Sequence, residues 1–354
     1  KKKKKNCELS KAYSDNAKYY IQLQNLPKTK KYIDFSKSVY NSECPVNINL
    51  IYTEYEYFIH LNKKDSAISK LKTLIKLVEF GHDFNSSLNE LKIKLGNLYL
   101  LDNNFKEVNI ILDDLIDKKK ELKSIELFNV LCLQYDFYNK VGLYSKALSA
   151  TYQYIDNGGT EVEFIDLLIG TSYNALGNYK ESNKKLLPLL NKINKVEDLN
   201  IKEMYSFFIP IVAFNFVGLG EFEKTIEFYS LFHSELIKNK LYVTSINLSI
   251  AASIAYHSLG NTDSTLSVLK DSKKIFNLHS TNKELEFSIN GALSQYYFRN
   301  GDFTKFEKIN QTLISQVSEN KMILASLQLH SAIAQFELSQ FEYSQKNLDK
   351  GFEN

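Results

Sequence analysis

Tryptophan is absent from this chain of 354 residues, arginine occurs once, at Arg299, and there are three cysteines, four prolines and two methionines. Each shortage excludes something. Cys7, Cys44 and Cys132 do not make a zinc-ligand pattern, and they are too few for a disulfide-dense scaffold. With lysine supplying all other basic residues, the bidentate forks that usually read phosphate and bases are missing; an AT-rich genome, which also raises Lys, Asn, Ile and Tyr, explains the bias. Net charge is +3, from 44 basic and 41 acidic residues, too balanced for a nucleic-acid or membrane surface. The longest apolar run, Phe207 to Leu219, is broken by Pro210 and Asn215 and is shorter than the roughly 20 residues a membrane span requires. The five lysines at the start are not followed by an apolar h-region. They read as part of a disordered basic tail, residues 1–8, or as a segment left after removal of a leader, since no initiator Met is present.

What the chain does contain is a period. Turn positions recur at Gln24, Asn62, Asn103, Gly142, Gly177, Gly220, Gly260, Gly301 and Ser339, at a mean spacing of about 39 residues. Four residues before them stand Tyr20, Phe58, Tyr99, Tyr138, Tyr173, Phe216, Tyr256, Tyr297 and Gln335. Eight of these nine are aromatic, where composition alone would supply about one. Seven before the turn small residues dominate (Ala17, Gly96, Gly170, Ala213, Ser253, Ser294, Ala332), and five after it come Ala67, Ala147, Ser182, Thr225, Thr265 and Ser344. Two after the turn, aromatics such as Phe105, Tyr144, Tyr179, Phe222, Phe303 and Phe341 lead into a second helix. Positions seven and four before the turn share one helix face. Small side chains there let two backbones approach. The turn residue itself needs positive φ, which explains glycine in five repeats and asparagine in two.

The segments Gly170–Tyr173–Gly177–Tyr179 and Ala213–Phe216–Gly220–Phe222 carry this pattern best, and it resembles the tetratricopeptide repeat (TPR). The resemblance spans essentially the whole chain, with a period of about 39 in place of 34, no early tryptophan and no proline closing most repeats. It looks like the long-period TPR arrays of bacterial sensor and regulator proteins. It implies an all-α, right-handed superhelical solenoid of about nine antiparallel helical hairpins, a single array over residues 9–354. Expected hairpins are 9–44, 45–82, 83–120, 121–157, 160–196, 199–240, 241–280, 281–319 and 320–354, with first helices ending just before each turn. Pro27 opens a second helix, where proline is tolerated. Pro210 falls inside an expected first helix over 201–218 and predicts a kink or a bent entry there. The chain stops without a polar capping helix, leaving Phe341, Leu348 and Phe352 partly uncovered. It therefore reads as a fragment of a longer protein, with oligomerisation through the last hairpin open.

No catalytic constellation is present. His60, His82, His233, His257, His279 and His330 make no metal-ligand spacing, and there is no phosphate loop, dinucleotide fingerprint or nucleophile elbow. No cofactor or metal is expected. Cys132 falls within a first helix and reads as a small buried hydrophobe. Cys7 and Cys44 lie at the start of a first helix and the end of its second, neighbouring places in an antiparallel hairpin; they form either a disulfide, in an exported protein, or two free thiols.

Ligands of TPR arrays bind along the side lined by first helices. The family's inward offsets, carried onto this sequence, select Asn129, Asp136, Asn139, Thr171, Asn174, Phe207, Phe214, Asn247, Ile254, His257, Gln295, Phe298 and Arg299. Asparagines would bond an extended backbone, phenylalanines would form side-chain pockets, and Arg299 would hold a carboxylate. The alternative for any one of them is an ordinary solvated side chain. The resemblance thus implies a protein- or peptide-binding module acting as the sensor arm of a larger bacterial regulator, non-enzymatic, with no nucleic acid bound and no membrane span in this segment. An extracytoplasmic location is preferred to a cytoplasmic one. A cytoplasmic receptor for a signalling peptide and a structural scaffold are the competing readings.

Overall fold

The computed structural model describes residues 2–40, 44–160, 162–193, 206–317 and 321–353. Among them are eighteen α-helices and no strand. They pair as nine hairpins: α1 (Lys2–Gln22) with α2 (Leu26–Val39), α3 (Ile48–His60) with α4 (Lys64–Glu79), α5 (Leu88–Leu101) with α6 (Phe105–Asp117) and α7 (Ser124–Lys140) with α8 (Tyr144–Asp156). Then come α9 (Val162–Ala175) with α10 (Tyr179–Ile193), α11 (Ile209–Gly218) with α12 (Phe222–Lys238), α13 (Tyr242–Ser258) with α14 (Thr262–His279), α15 (Lys283–Arg299) with α16 (Phe303–Gln316) and α17 (Lys321–Glu337) with α18 (Phe341–Glu353).

All nine turn residues have positive φ, from 54° at Gln24, Asn62 and Asn103 to 76° at Gly260, and Ser339 has 61°. The hydrogen bonds explain why. At every turn the N–H of the turn residue donates to the carbonyl three before it, at 2.9–3.3 Å. The next N–H donates to the carbonyl four before the turn, at 2.7–3.0 Å, which is that of the repeated aromatic or, in the last hairpin, of Gln335. This left-handed C-cap satisfies carbonyls that the helix end would otherwise orphan. The residue after the turn then caps the second helix; the side chains of Asn25, Asn261 and Asp302 each accept a backbone N–H of the following first turn. The same closure ends second helices at Gly81, Gly158 and Lys240.

The aromatic rings four before the turn pack structurally. Lysines four after the turn lie over them in four repeats: Lys28 over Tyr20, Lys146 over Tyr138, Lys224 over Phe216 and Lys305 over Tyr297, at 4.9–5.9 Å from the ring centres. Such contacts contribute about 0.5–1 kcal/mol each at exposed sites. The small residues mark where the two helices of a hairpin cross. A Cβ on Gly170 would come within 2.5 Å of Leu186 in the same hairpin, and one on Gly96 within 2.6 Å of Leu133 on α7, the next first helix. At the same crossings Ser182 donates to the Gly170 carbonyl at 2.7 Å and Ser344 to the Ala332 carbonyl at 2.8 Å.

The helices form two compact units, Lys1–Glu161 and Val162–Asn354, where the sequence predicts one array over 9–354. The boundary falls just after the Gly158–Gly159 pair. In the first unit α1 packs on α3 and α5 on α7; in the second α9 packs on α11, α11 on α13 and α13 on α15, so first helices neighbour first helices. The first core is centred on Leu71, Leu74, Leu91, Leu112 and Leu115. The second holds two clusters, around Leu186, Phe208 and Val212 and around Ile246, Leu269 and Ile289.

Two expectations, for the lysine run and for Cys132, are corrected. The lysine run is not a disordered tail, since α1 begins at Lys2: lysine is a good helix former, and Cys7, one turn on, is bonded to Cys44 with the Cα atoms 5.4 Å apart. Of the kink or bent entry expected at Pro210, the structure has the second: residue 206 is helical, 207–208 form a turn and α11 begins at Ile209. Pro210 lies in the first turn of α11, where its missing N–H has no partner to lose, and residues 201–205 of the expected helix lie outside those described. Cys132 is half-buried rather than fully so. Pro188, inside α10, carried no expectation.

Candidate binding face on the first helices

In the second unit, α15, α16 and α17 enclose an open cavity of about 570 Å³. From α15 it takes Gly291, Gln295, Phe298 and Arg299, three of which the inward offsets select. Phe298 organises the wall: its ring lies 5.8 Å from Phe303, 5.0 Å from Phe306 and 5.2 Å from His330. Phe287, Leu313, Met322 and Leu327 complete an apolar lining, and Met322 is 78% exposed. Gly291 sits inside a helix with nothing within 4 Å of the position a Cβ would take, so its bare backbone adds room to the cavity. Arg299 is exposed at the rim, and no carboxylate among the described residues pairs with it. His330 donates from Nδ1 to the Ser326 carbonyl at 2.7 Å.

Asn310, on α16, also lines the cavity and is fully buried. Its amide nitrogen donates to the Leu327 carbonyl and to Ser331 Oγ, both at 2.8 Å. A carbonyl accepts only, so this contact orients the amide and leaves Oδ1 facing away; Oδ1 has no partner among the described residues. Nothing in the period of the sequence marks Asn310, because it belongs to a second helix.

The other selected residues fare differently. His257, on α13, has a buried Nδ1 without a described partner, and burial, with Arg299 adding to it, pushes its pKa down. Asn247 is half-buried on the same helix. Asn174 is spent on structure. Its amide donates to Asn215 Oδ1 at 2.7 Å, and the fully buried Asn215 donates in turn to Ser182 and Asn183, both at 2.8 Å. Thr171 returns its hydroxyl to the Leu167 carbonyl at 2.9 Å, the local bond that threonine commonly makes inside helices. Phe214 and Ile254 pack against the second unit's core, whereas Phe207 is 67% exposed.

Asn129, Asp136 and Asn139 lie along α7 in the first unit. Asp136 keeps water-accessible surface, yet the protein around its carboxyl pushes its pKa up against the pull of Lys140. The same unit offers a group that the offsets reach when applied to the second hairpin: Tyr52 and Glu56 on α3. Lys94 of α5 donates to the Tyr52 hydroxyl at 3.2 Å and pairs with Glu90 at 3.1 Å. Burial raises the Glu56 pKa, with Lys94, Lys18 and His60 opposing. A cavity of about 700 Å³ beside the Cys7–Cys44 bond gathers Glu8, Lys11, His82 and Asp83. Among the described residues no set of three His, Cys, Asp or Glu side chains is placed to hold a metal ion, and no helix is long and apolar enough to cross a membrane.

No family model matches the sequence, and no curated protein does. Solved structures match through the fold. A signal transduction ATPase with numerous domains, carrying a tetratricopeptide repeat sensor, from Pyrococcus horikoshii has 14% identity and TM-score 0.57 over 98% of this chain and 52% of its own. A Rap protein complexed with Competence and Sporulation Factor has 11% identity and TM-score 0.51, covering 98% of this chain and 97% of its own. A human IFIT1 dimer with m7Gppp-AAAA has 12% identity and TM-score 0.56 over 97% and 77%. Together with nine left-handed turns and the small-residue crossings, these likenesses identify the fold as an all-α helical-hairpin repeat of the tetratricopeptide type.

Proposed function

We propose that the chain is a protein- or peptide-binding module serving as the sensor or interaction arm of a larger bacterial regulator. The cavity between α15, α16 and α17 carries this reading, because the first helices α15 and α17 supply most of its lining and it joins apolar walls to a few polar groups. Such a composition suits recognition of side chains and backbone. The match to a repeat sensor within a multidomain ATPase, and to a repeat protein holding a signalling factor, supports the regulator assignment. Catalysis is not assigned: the cavity lining has no carboxylate, and its one histidine commits Nδ1 to Ser326. Nucleic acid is not assigned either, since phosphate recognition over this chain would rest on lysines with one arginine in a nearly neutral protein.

Peptides selected by display against the intact chain test the reading. Binding is expected to weaken about tenfold or more in Gln295→Lys and Arg299→Gln, both exposed positions at which the fold is undisturbed. Selected peptides that bind both variants as tightly as the parent would remove the first-helix face as the binding surface. Saturable binding of a short capped RNA in the same assay would overturn the exclusion of nucleic acid.

A further inference from the structure

The ninth hairpin differs from the eighth in what it buries. Among the described residues of α17 and α18 the buried apolar side chains are Ala332 and Ala334, whereas the eighth hairpin buries Leu285, Ile289, Leu293, Phe306 and Leu313. The leucines of α17 are covered only in part, and Met322, Ile333, Phe336 and Phe352 are half or more exposed. Buried places in the ninth hairpin go instead to Gln328, Ser331, Gln335 and Ser344. Gln335 stands where the other eight repeats carry an aromatic ring. The joint to the eighth hairpin is correspondingly polar. Glu307 of α16 accepts from Ser331 Oγ at 2.9 Å and from Gln335 Nε2 at 2.7 Å. Asn310 donates to Ser331 at 2.8 Å, and Asn347 of α18 donates to Gln335 Oε1 at 2.9 Å. Water replaces bonds of this kind at little net cost, but it does not replace apolar packing. Asn310 Oδ1, buried at this joint without a partner among the described residues, gains one when water enters.

We infer that the ninth hairpin is a movable jaw, which opens on the polar joint at Glu307 and is closed by a ligand held in the cavity between α15, α16 and α17. The cavity couples the two hairpins, since the eighth supplies Phe298 and Arg299 to its lining and the ninth supplies Met322, Leu327 and His330. An occupant touching both sets loses the second when the hairpin leaves, so binding shifts the equilibrium towards the docked form. Glu307 lies outside the cavity lining and acts as a positioning residue of the joint. The closure rests on the peptide-binding reading; the joint does not.

Amide exchange followed by mass spectrometry on the full chain tests both. Without ligand, α17 and α18 are expected to exchange as one unit and faster than α13 to α15. Glu307→Gln should speed exchange throughout α17 and α18 about tenfold, the worth of a hydrogen bond to a charged group, and leave α13 and α14 unchanged. Glu342→Gln, which removes an exposed charge from the same hairpin, should leave α17 and α18 unchanged. Exchange that rises gradually towards the C-terminus and ignores Glu307→Gln would reduce the hairpin to a fraying end and overturn the joint. Equal acceleration of α13 to α18 by Glu307→Gln would overturn it too, as a loss of global stability. The probe for closure is a display-selected peptide whose affinity falls in Gln295→Lys. At ten times its dissociation constant it should slow exchange in α17 and α18 about tenfold and leave α1 to α4 unchanged. Exchange unaltered by the bound peptide would overturn the closure. Should no peptide be selected, the peptide-binding reading fails and the closure with it, and Glu307→Gln still decides the joint.

Discussion

A single residue in the left-handed region costs an L-amino acid about 1–2 kcal/mol, and Gln24, Asn62, Asn103 and Ser339 all sustain it. They do so because the two capping hydrogen bonds at each turn require that conformation. Around the five turn glycines nothing lies within 4 Å of the position a Cβ would occupy, so substitution there is opposed by backbone conformation alone. Gly177→Ala is therefore expected to destabilise by about 1 kcal/mol, after allowance for the lost freedom of the unfolded chain, and Gln24→Gly and Ser339→Gly to stabilise by about 0.5–1 kcal/mol. Urea denaturation of the three variants measures this. The small residues behave oppositely: Gly170→Ala fails on space, since Leu186 is fully buried and cannot withdraw. Titration belongs to the same scale. Burial lowers the pKa of His233, and burial with Arg299 lowers that of His257. Both bind a proton less readily folded than unfolded, so their contribution is complete above the ordinary histidine value of about 6.5 and is lost as pH falls through it. The urea midpoint should drop on acidification from pH 7 to 5, and drop less in His233→Gln and His257→Gln. The carboxyl of Glu56, raised by burial, contributes with the opposite sign, in the lower carboxylate range.

At the scale of the element, the hairpin is the unit that the repeat encodes, and most are closed by the same turn and crossing. The first carries an added constraint. Cys7 and Cys44 join the start of α1 to the segment following α2 across 37 residues. Closing a loop of that length restricts the unfolded chain by about 3–4 kcal/mol in the chain-entropy model. Reduction, or Cys7→Ser with Cys44→Ser, is expected to speed amide exchange throughout α1 and α2 while leaving α5 to α8 unchanged; exchange followed by mass spectrometry distinguishes this from a global effect. Element boundaries were legible where caps repeat, as at Gly260 and Asn261. They were not legible at Pro210, because a proline tolerated in a first turn and a proline kinking a helix interior look alike until the start of the helix is known.

For the whole molecule, an array whose hairpins touch mainly their neighbours unfolds by parts. The division into Lys1–Glu161 and Val162–Asn354 gives those parts their extent. Limited proteolysis is expected to cut first near Gly158–Gly159–Thr160 and to release two fragments, each retaining helical circular dichroism. A single coincident transition by fluorescence and circular dichroism, with no such cut, would contradict the division.

The period alone determined the hairpin count, the turn positions and the structural role of the aromatics, because local backbone chemistry dictates them: a left-handed cap needs a tolerant residue and a close crossing needs a small one. The resemblance to the tetratricopeptide repeat, through its inward offsets, placed Gln295, Phe298 and Arg299 on one face, since offsets along a helix convert directly into direction. Tertiary structure decided which polar groups find partners. Asn174 and Asn310 are both asparagines on packed helices; the first is consumed by Asn215, and the second keeps an acceptor unmet among the described residues. No spacing within the chain distinguishes them, because the difference lies in which side chains the neighbouring hairpins bring within hydrogen-bonding distance.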